Sequence, residues 1–513
     1  MKNFAGLVLV GFILFNSFAA EAQSYAESAL LFSRVRPGGS ARIQAMGGTQ
    51  VSLGGDYSSA YSNPAGLGMY NRSEFTLTLG YNSANTSSDY LQNSTGSTQS
   101  KLIIPGISLV FHSDKNKGAL ISGTFGITFN RINDFNRTFE YGGSNSQSSI
   151  IDYFVNDANT TSANNGGLNG DQLFYNASTQ TLGPLANTPT ELAYNDYLIN
   201  PVSQTNQTHY ATDVATPLRA STTVLQHEKV QTTGAQNQWN FSYGLNLSDK
   251  FFLGGGIGIS SINYTSVKTY SESFPKDTLL NSLVLVENLT TKGSGINATI
   301  GAIFKPMEFF QFGFSVATPT AYLLNDAYTA NMTANWSNFP YGQVTNLPTQ
   351  PTTTDRVLTD YNLTTPWRIS GGATFFIQKH GFVSADVEYI NYGGNRYSSQ
   401  STGVSLDGDN ADIKYFYRPV FNLRFGGEYR INKFRVRAGY SYMPDPYKSV
   451  QYNLDNNIQS LSGGAGYRAS KFFVDLTGIF TQGKTTYGPY TNSPLVTNQN
   501  TNTRIMMTVG FPF

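Results

Sequence analysis

Apolar and polar residues alternate with a period of two along most of the chain from Glu74 to Phe513, and reading each such stretch as a strand predicts fourteen. The expected strands are 74 to 82, 103 to 112, 119 to 130, 229 to 247, 250 to 272, 283 to 306, 309 to 336, 355 to 377, 380 to 392, 416 to 431, 433 to 442, 457 to 468, 471 to 482 and 502 to 513. Their connections sort by parity. Long polar loops follow the odd-numbered strands, at 83 to 102, 131 to 228, 337 to 354, 393 to 415, 443 to 456 and 483 to 501, with 273 to 282 the shortest of the set. Short turns such as Ser248-Asp249, Gln378-Lys379 and Asn432 follow the even-numbered ones. An even-stranded antiparallel barrel of the bacterial outer membrane has short periplasmic turns and long extracellular loops, whereas a soluble sandwich has no reason to sort its loops.

The alternation also says which face meets lipid. In the last strand Ile505, Met507, Val509, Phe511 and Phe513 share one face, and Arg504, Met506, Thr508 and Gly510 the other. The tenth sets Phe421, Leu423, Phe425 and Tyr429 against Arg424, Glu428 and Arg430; the eleventh sets Phe434, Val436 and Tyr440 against Arg435 and Arg437. An Arg or Lys on the lipid face costs about 2 to 4 kcal/mol at the midplane, so these charges must point into the lumen. Arg368, Asp386, Glu388 and Asp475 fall on polar faces too, supplying both signs for ion pairs along the wall.

Composition narrows the class. Only 13% of residues are charged, 14% are aromatic, and there are 50 glycines. A soluble domain carries about a quarter charged residues, so half of each strand faces something other than water. No stretch after the first 22 residues approaches the roughly 20 apolar residues of a spanning helix, while a tilted spanning strand needs only about 9 to 11. A net charge of +1 gives no reason to expect a nucleic-acid partner, and the absence of cysteine removes disulfides and thiolate chemistry. Lys2, the apolar run Phe4 to Phe15 and Ala20-Glu21-Ala22 read as a secretory signal peptide over residues 1 to 22. The chain is therefore expected in the outer membrane of a Gram-negative cell, among its lipid and lipopolysaccharide. Phe513, closing the last apolar face, is the expected signal to the outer-membrane assembly machinery.

Residues 23 to 73 cannot extend the ladder, because Pro37-Gly38-Gly39, Gly47-Gly48, Gly54-Gly55 and Asn63-Pro64-Ala65-Gly66 break it into turns. Tyr25 to Val35 is a candidate short helix; Asp56 is placed to cap a turn and Pro64 to start another. A fourteen-stranded barrel encloses more room than its own side chains fill, so this segment is expected inside, as a plug.

The run Gly47-Gly48 to Gly54-Gly55-Asp56 to Ser62-Asn63-Pro64-Ala65-Gly66-Leu67 resembles the hatch of FadL/TodX-type outer-membrane transporters. Thr365-Pro366-Trp367-Arg368, Leu423 to Arg430 and Arg435 to Tyr442 are similar to that family's C-terminal strands in order and spacing. The resemblance covers most of the chain. It implies fourteen strands, a hatch turn at Asn63, Pro64 and Ala65, and passive uptake of hydrophobic small molecules, long-chain fatty acids or aromatic hydrocarbons. The ligand would be caught by the loops, pass to a pocket at the hatch and leave through a gap in the wall. The Asn-, Ser- and Thr-rich segment 131 to 228 departs from a fatty-acid capture surface.

Gly118, Gly123 and Gly126 in strand three are candidates either for the gate or for packing room against the hatch. Ile150, Ile151, Tyr153, Phe154 and Val155 form either a capture groove or the small core of the longest loop. An enzyme finds little support. The four histidines, His112, His209, His227 and His380, make no catalytic triad with a serine on one rim, the glycine clusters lack the Lys of a phosphate loop, and no metal or other cofactor is indicated. A diffusion porin and a protein-docking, secretion-associated barrel remain as alternatives.

Overall fold

The computed structural model describes residues 25–36, 38–176, 181–337, 339, 347, 349–399, 405–448 and 455–513. The signal-peptide segment and Pro37 lie outside them. Fourteen antiparallel wall strands close into one barrel. They are β1 Glu74–Tyr90, β2 Asn93–Lys117, β3 Leu120–Asp134 with a continuation at Arg137–Asn145, β4 Val224–Leu247, β5 Phe251–Ser273, β6 Leu280–Met307, β7 Phe310–Ala317 with Ala321–Trp336, β8 Val357–Thr364 with Arg368–Ile377, β9 Gly381–Asn391, β10 Pro419–Ile431, β11 Phe434–Met443, β12 Ile458–Arg468, β13 Phe473–Tyr487 and β14 Val496–Pro512. Each pairs with its neighbours in sequence, and β14 returns to β1 through pairs running from Glu74 with Pro512 to Asp89 with Thr497. Closure of β14 on β1 leaves no outermost strand, as a sheet in lipid requires.

The register is the one read from the sequence. Phe421, Phe425, Tyr429, Phe434, Val436, Ile505, Met507 and Phe511 are exposed on the outer surface, while Arg424, Glu428, Arg437, Asp475 and Thr508 are buried inside. This apolar outer belt around a polar interior is that of an outer-membrane-type barrel. No helix among the described residues is long and apolar enough to cross a membrane; the strands cross instead.

Two expectations need correction. Residues 83 to 102 are not a loop: β1 and β2 stay paired to Tyr90 and Asn93, joined by Leu91 and Gln92 alone. Both turn residues have positive φ, 46° and 69°, as a two-residue primed hairpin requires. Above the lipid the outer face turns polar as well, while the buried inner face of β1 carries Asn82, Thr86 and Ser88, so the period-2 signal vanishes. Likewise 309 to 336 and 355 to 377 are not unbroken strands. Their ladders are interrupted at 318–320 and 365–367, where Pro319 and Pro366 each withhold an amide hydrogen.

The N-terminal segment folds inside the barrel as α1 Tyr25–Ser33, α2 Ala41–Ala45, α3 Ser59–Ser62 and a 3₁₀ turn Pro64–Met69. Its backbone lies directly on the wall because lumen-facing wall positions are glycine. A methyl group placed on Gly439 of β11 would fall 2.1 Å from Gly47 N, one on Gly313 of β7 2.2 Å from Val51 O, and one on Gly254 of β5 2.3 Å from Ala65 N. Gly106, Gly126, Gly244 and Gly426 meet the same segment. Leucine at Gly439 is therefore expected to displace it at a cost of about 1–3 kcal/mol or more, seen as protease cleavage within residues 25–73 and raised conductance of the reconstituted barrel. Alanine at Gly478, which has open space around it, is the control. A shielded segment and unchanged conductance in Gly439→Leu would contradict this account.

Candidate functional site

The Asn63-Pro64-Ala65 turn anchors the inner segment. Asn63 Oδ1 accepts from Ala65 N–H (3.2 Å) and its Nδ2 donates to Val51 O (2.6 Å) and to Ala302 O of β6 (3.3 Å). One amide side chain thus caps the 3₁₀ turn, ties two parts of the segment together and reaches the wall. Asp56 accepts from Ser58 N–H (3.0 Å) and from the Ser40 hydroxyl (2.7 Å), holding α2 against α3.

Most of the expected lumen charges fall into a network of two ion-pair clusters, one around Glu388 and one around Glu428 and Asp475, with Asp386 beside them. Asp386 Oδ2 accepts from the Gln50 and Val51 amides at 2.7 and 3.0 Å, so the wall caps the segment's backbone. Arg368 donates to the Tyr61 hydroxyl (3.0 Å) and to Ser33 O (3.3 Å), with Glu388 3.9 Å away. Arg424 donates to Glu388 (2.8 Å). Glu428 is held by Arg437 (2.8 Å) and Arg430 (2.9 Å), with Arg42 of α2 at 3.7 Å and Arg435 at 3.9 Å. Arg437 also donates to Asp475 (2.7 Å), which Arg468 grips through both terminal nitrogens at 2.9 Å. Arg435 is spent mainly on the local carbonyls of Asn432 and Phe434. These groups are structural: their mutual hydrogen bonds offset their desolvation.

Above this network opens a cavity of about 1120 Å³. Leu30, Leu31 and Arg36 of the inner segment bound it, together with Ile132, Phe135, Phe139 and Tyr264 of the wall, Phe416 of the helix Asp407–Phe416, and Leu423, Ile458 and Ile479. It is both greasy and basic. Arg34, Arg36, Arg131, Arg137, Arg424 and Arg504 line it. Arg34 is occupied by the carbonyls of Pro444 (3.0 Å) and Asn456 (2.9 Å). Arg504, of the expected wall charges, stands apart from the network and faces this cavity, donating through Nε to Asn82 Oδ1 at 3.3 Å. Burial and the guanidiniums of Arg504, Arg137 and Arg34 push Arg36, which lies outside the spanning strands, down to about 9. The strand-three boundary drawn at residue 130 hid Arg131 and Arg137 in a supposed loop; the Arg131-x-x-Asp134-x-x-Arg137 spacing was the available signal.

The cavity adjoins a seam in the wall. The β2–β3 ladder ends at Gly106 with Asn130. Beyond it, Asn93–Pro105 pairs only with β1, and Arg137–Asn145 only with β4, among the described residues. Pro105 removes the next amide donor, and β3 shifts register between Arg131 and Asn133 before breaking at Phe135 and Asn136. Among the described residues, hydrogen bonds that each use at least one side chain bridge the gap: Thr138 to Gln99 (2.8 Å), Asn93 to Gly142 O (3.1 Å) and Lys101 to Asn136 (3.3 Å). Leu102, 79% exposed, marks the lipid-facing foot of the seam.

The candidate gate glycines do not open the ladder. β3 is paired on both sides at Gly123 and Gly126, and Gly118 sits in the turn at φ 60°. Gly126 instead leaves room for Leu67 of the inner segment, and Gly123 for the Tyr243 ring. The capture-groove reading of Ile150, Ile151, Tyr153, Phe154 and Val155 is corrected too. Ile150, Ile151 and Phe154 are buried on the helix Ile150–Asn164, in a core with Leu192, Leu198, Leu283 and Trp336, and Tyr153 and Val155 pack against it. They fold the loop.

No family model matches the chain, and no curated protein does. Among solved structures, the toluene transporter TodX of P. putida superposes over 93% of this chain and 99% of its own, at 12% identity and a TM-score of 0.50. A FadL homologue from Pseudomonas aeruginosa superposes over the same shares at 14% identity and a TM-score of 0.52. The chain has the FadL/TodX fold. At such identity the likeness concerns the fold alone. In this FadL/TodX-fold wall, replacing Arg437 by Leu would leave Glu428 and Asp475 buried with one fewer partner each. A loss of about 3–5 kcal/mol is expected in urea unfolding from bilayers. Arg435→Leu should cost under about 1 kcal/mol, since Arg435 lies 3.9 Å from Glu428 and is partly exposed. Equal losses in the two variants would refute this division of labour.

Proposed function

We propose that this protein is an outer-membrane channel for passive uptake of hydrophobic small molecules, of the class that includes long-chain fatty acids and aromatic hydrocarbons. The observation that carries the reading is the position of the apolar-sided cavity between the inner segment and the unladdered β2–β3 seam. In this reading the inner segment is a hatch. A molecule enters beneath the extracellular loops, rests in the cavity against Leu30, Ile132 and Phe135, and leaves sideways past Arg131–Arg137 into the membrane. Such a route lets an apolar solute avoid a water-filled pore. A lumen occupied by its own N-terminal segment speaks against a plain diffusion porin, as does the toluene-transporting role of TodX, a structure with the same fold. Phe513, on the outer surface, is kept as the proposed contact of the outer-membrane assembly machinery.

Cysteines in place of Gln99 and Thr138, whose side chains touch across the seam, are to be joined by a short cleavable thiol linker. Uptake of a labelled fatty acid or toluene by cells is expected to fall about tenfold or more, and to recover on cleavage, while binding to the purified protein stays unchanged. Full uptake through a completely linked seam would remove it as the exit. Failure of the purified protein to bind any of a panel of fatty acids and simple aromatics would overturn the transport reading itself.

A further inference from the structure

Four guanidiniums at one end of the cavity, Arg36, Arg131, Arg137 and Arg504, have a single carboxylate among them. Arg131 pairs with Asp134 at 3.4 Å. Among the described residues nothing accepts a hydrogen bond from the Arg36 or Arg137 side chain, and Arg504 spends only its Nε, on Asn82. Asp134 is the carboxylate that acts on Arg36 and on Arg504. Of the cavity's other carboxylates, Glu27 lies on α1, where Lys268 is the charged group acting on it, and Asp409 and Asp412 lie on the helix Asp407–Phe416 and form no ion pair with these arginines among the described residues. Four positive charges less one negative leave an excess of three. Uncompensated, partly buried charge is costly, and the same protein pairs nearly every other wall arginine with a carboxylate or a carbonyl. The planar forks of several arginines fit the oxygens of one compact oxyanion. Beside them Leu30, Leu31, Ile132, Phe135 and Phe139 offer an apolar bed.

We infer that the cavity takes an amphiphile whose head is a doubly charged oxyanion, such as a phosphate monoester, the head lying among Arg36, Arg137 and Arg504 and the apolar body along Leu30, Ile132 and Phe135. This rests on the transport reading and narrows it: a neutral hydrocarbon leaves all three charges uncompensated, a monocarboxylate two, and a dianion one. The head would also hold the hatch to the wall, since Arg36 comes from the inner segment, Arg137 from β3 and Arg504 from β14.

The test is calorimetric titration of the full-length protein in a nonionic maltoside at pH 8, where a phosphate monoester carries about two charges, with decyl phosphate, decanoate and decanol as probes. Decyl phosphate is expected to bind about 100-fold more tightly than decanol and clearly more tightly than decanoate. Arg36→Gln and Arg137→Gln should each lower its affinity about 10- to 100-fold while leaving decanol unchanged. Equal affinity for the three probes, or full decyl phosphate affinity in both variants, would overturn the assignment while leaving the transport reading standing. Binding of none of the three would overturn both. Inorganic phosphate competing as well as decyl phosphate would show that the apolar body has no part, and would overturn the amphiphile. Displacement of decyl phosphate by lipopolysaccharide would support the assignment with a membrane lipid as the source; binding that lipopolysaccharide leaves intact would support it with a soluble solute as the source.

Discussion

Everything in this barrel depends on bringing one backbone against another at the centre of the lumen. A fourteen-stranded wall with ordinary inward side chains would hold the inner segment too far away to exchange hydrogen bonds with it. Glycine at the facing positions removes that layer, so amides and carbonyls of residues 40–66 meet the wall directly. The remaining inward side chains are then polar groups that finish the segment's hydrogen bonds: Asp386 on Gln50 and Val51, Ser242 on Ala60 O, Ser462 on Ala45 O. Part of the high glycine content follows from the same need.

From that contact the placement of the cavity follows. The turns are anchored to the wall through Asn63, whereas α1 packs on one side against wall residues such as Tyr264, Tyr322 and Tyr361, and the space opens on its other side, where Leu31, Arg34 and Arg36 line it. On the same side Pro105 ends a ladder and β3 breaks at Phe135, whose ring packs inside the barrel on Phe32 and Tyr264 while its amide bonds to Gly234 O of β4. Cavity and seam therefore share one cause, a strand that exchanges its neighbour's hydrogen bonds for contacts inside the barrel.

How much of this the sequence displayed depended on the contrast between the two sides of the wall. Within the lipid, Phe425 beside Arg424 or Val436 beside Arg437 leaves no doubt about which way each residue points, and strand number and register followed. Above the lipid the contrast disappears, and so did the upper halves of β1 and β2. The gate was sought at glycines because glycine weakens a strand, but here glycine serves close packing and the breaks fall at Pro105, Pro319 and Pro366. The turn at Asn63 was visible because Asn63-Pro64 stands in a glycine-rich run, where the Asn side chain caps and the Pro begins a turn. The arginine cluster was not, because its members come from three distant parts of the chain and only closure of the barrel brings β3, β14 and the N-terminal segment together.

The β1–β2 hairpin has a consequence of its own. The 25 residues of β2 extend about 80 Å, or roughly 60 Å of height at the usual tilt, against an apolar belt of about 25 Å. Much of the wall's height on this side therefore stands outside the bilayer, with the β2 backbone groups that face β1 satisfied by that strand. Its stature is fixed by its own ladder and not by membrane thickness. At the summit a protease finds only the two residues Leu91 and Gln92, so this rampart keeps its shape in whatever lipid surrounds the base.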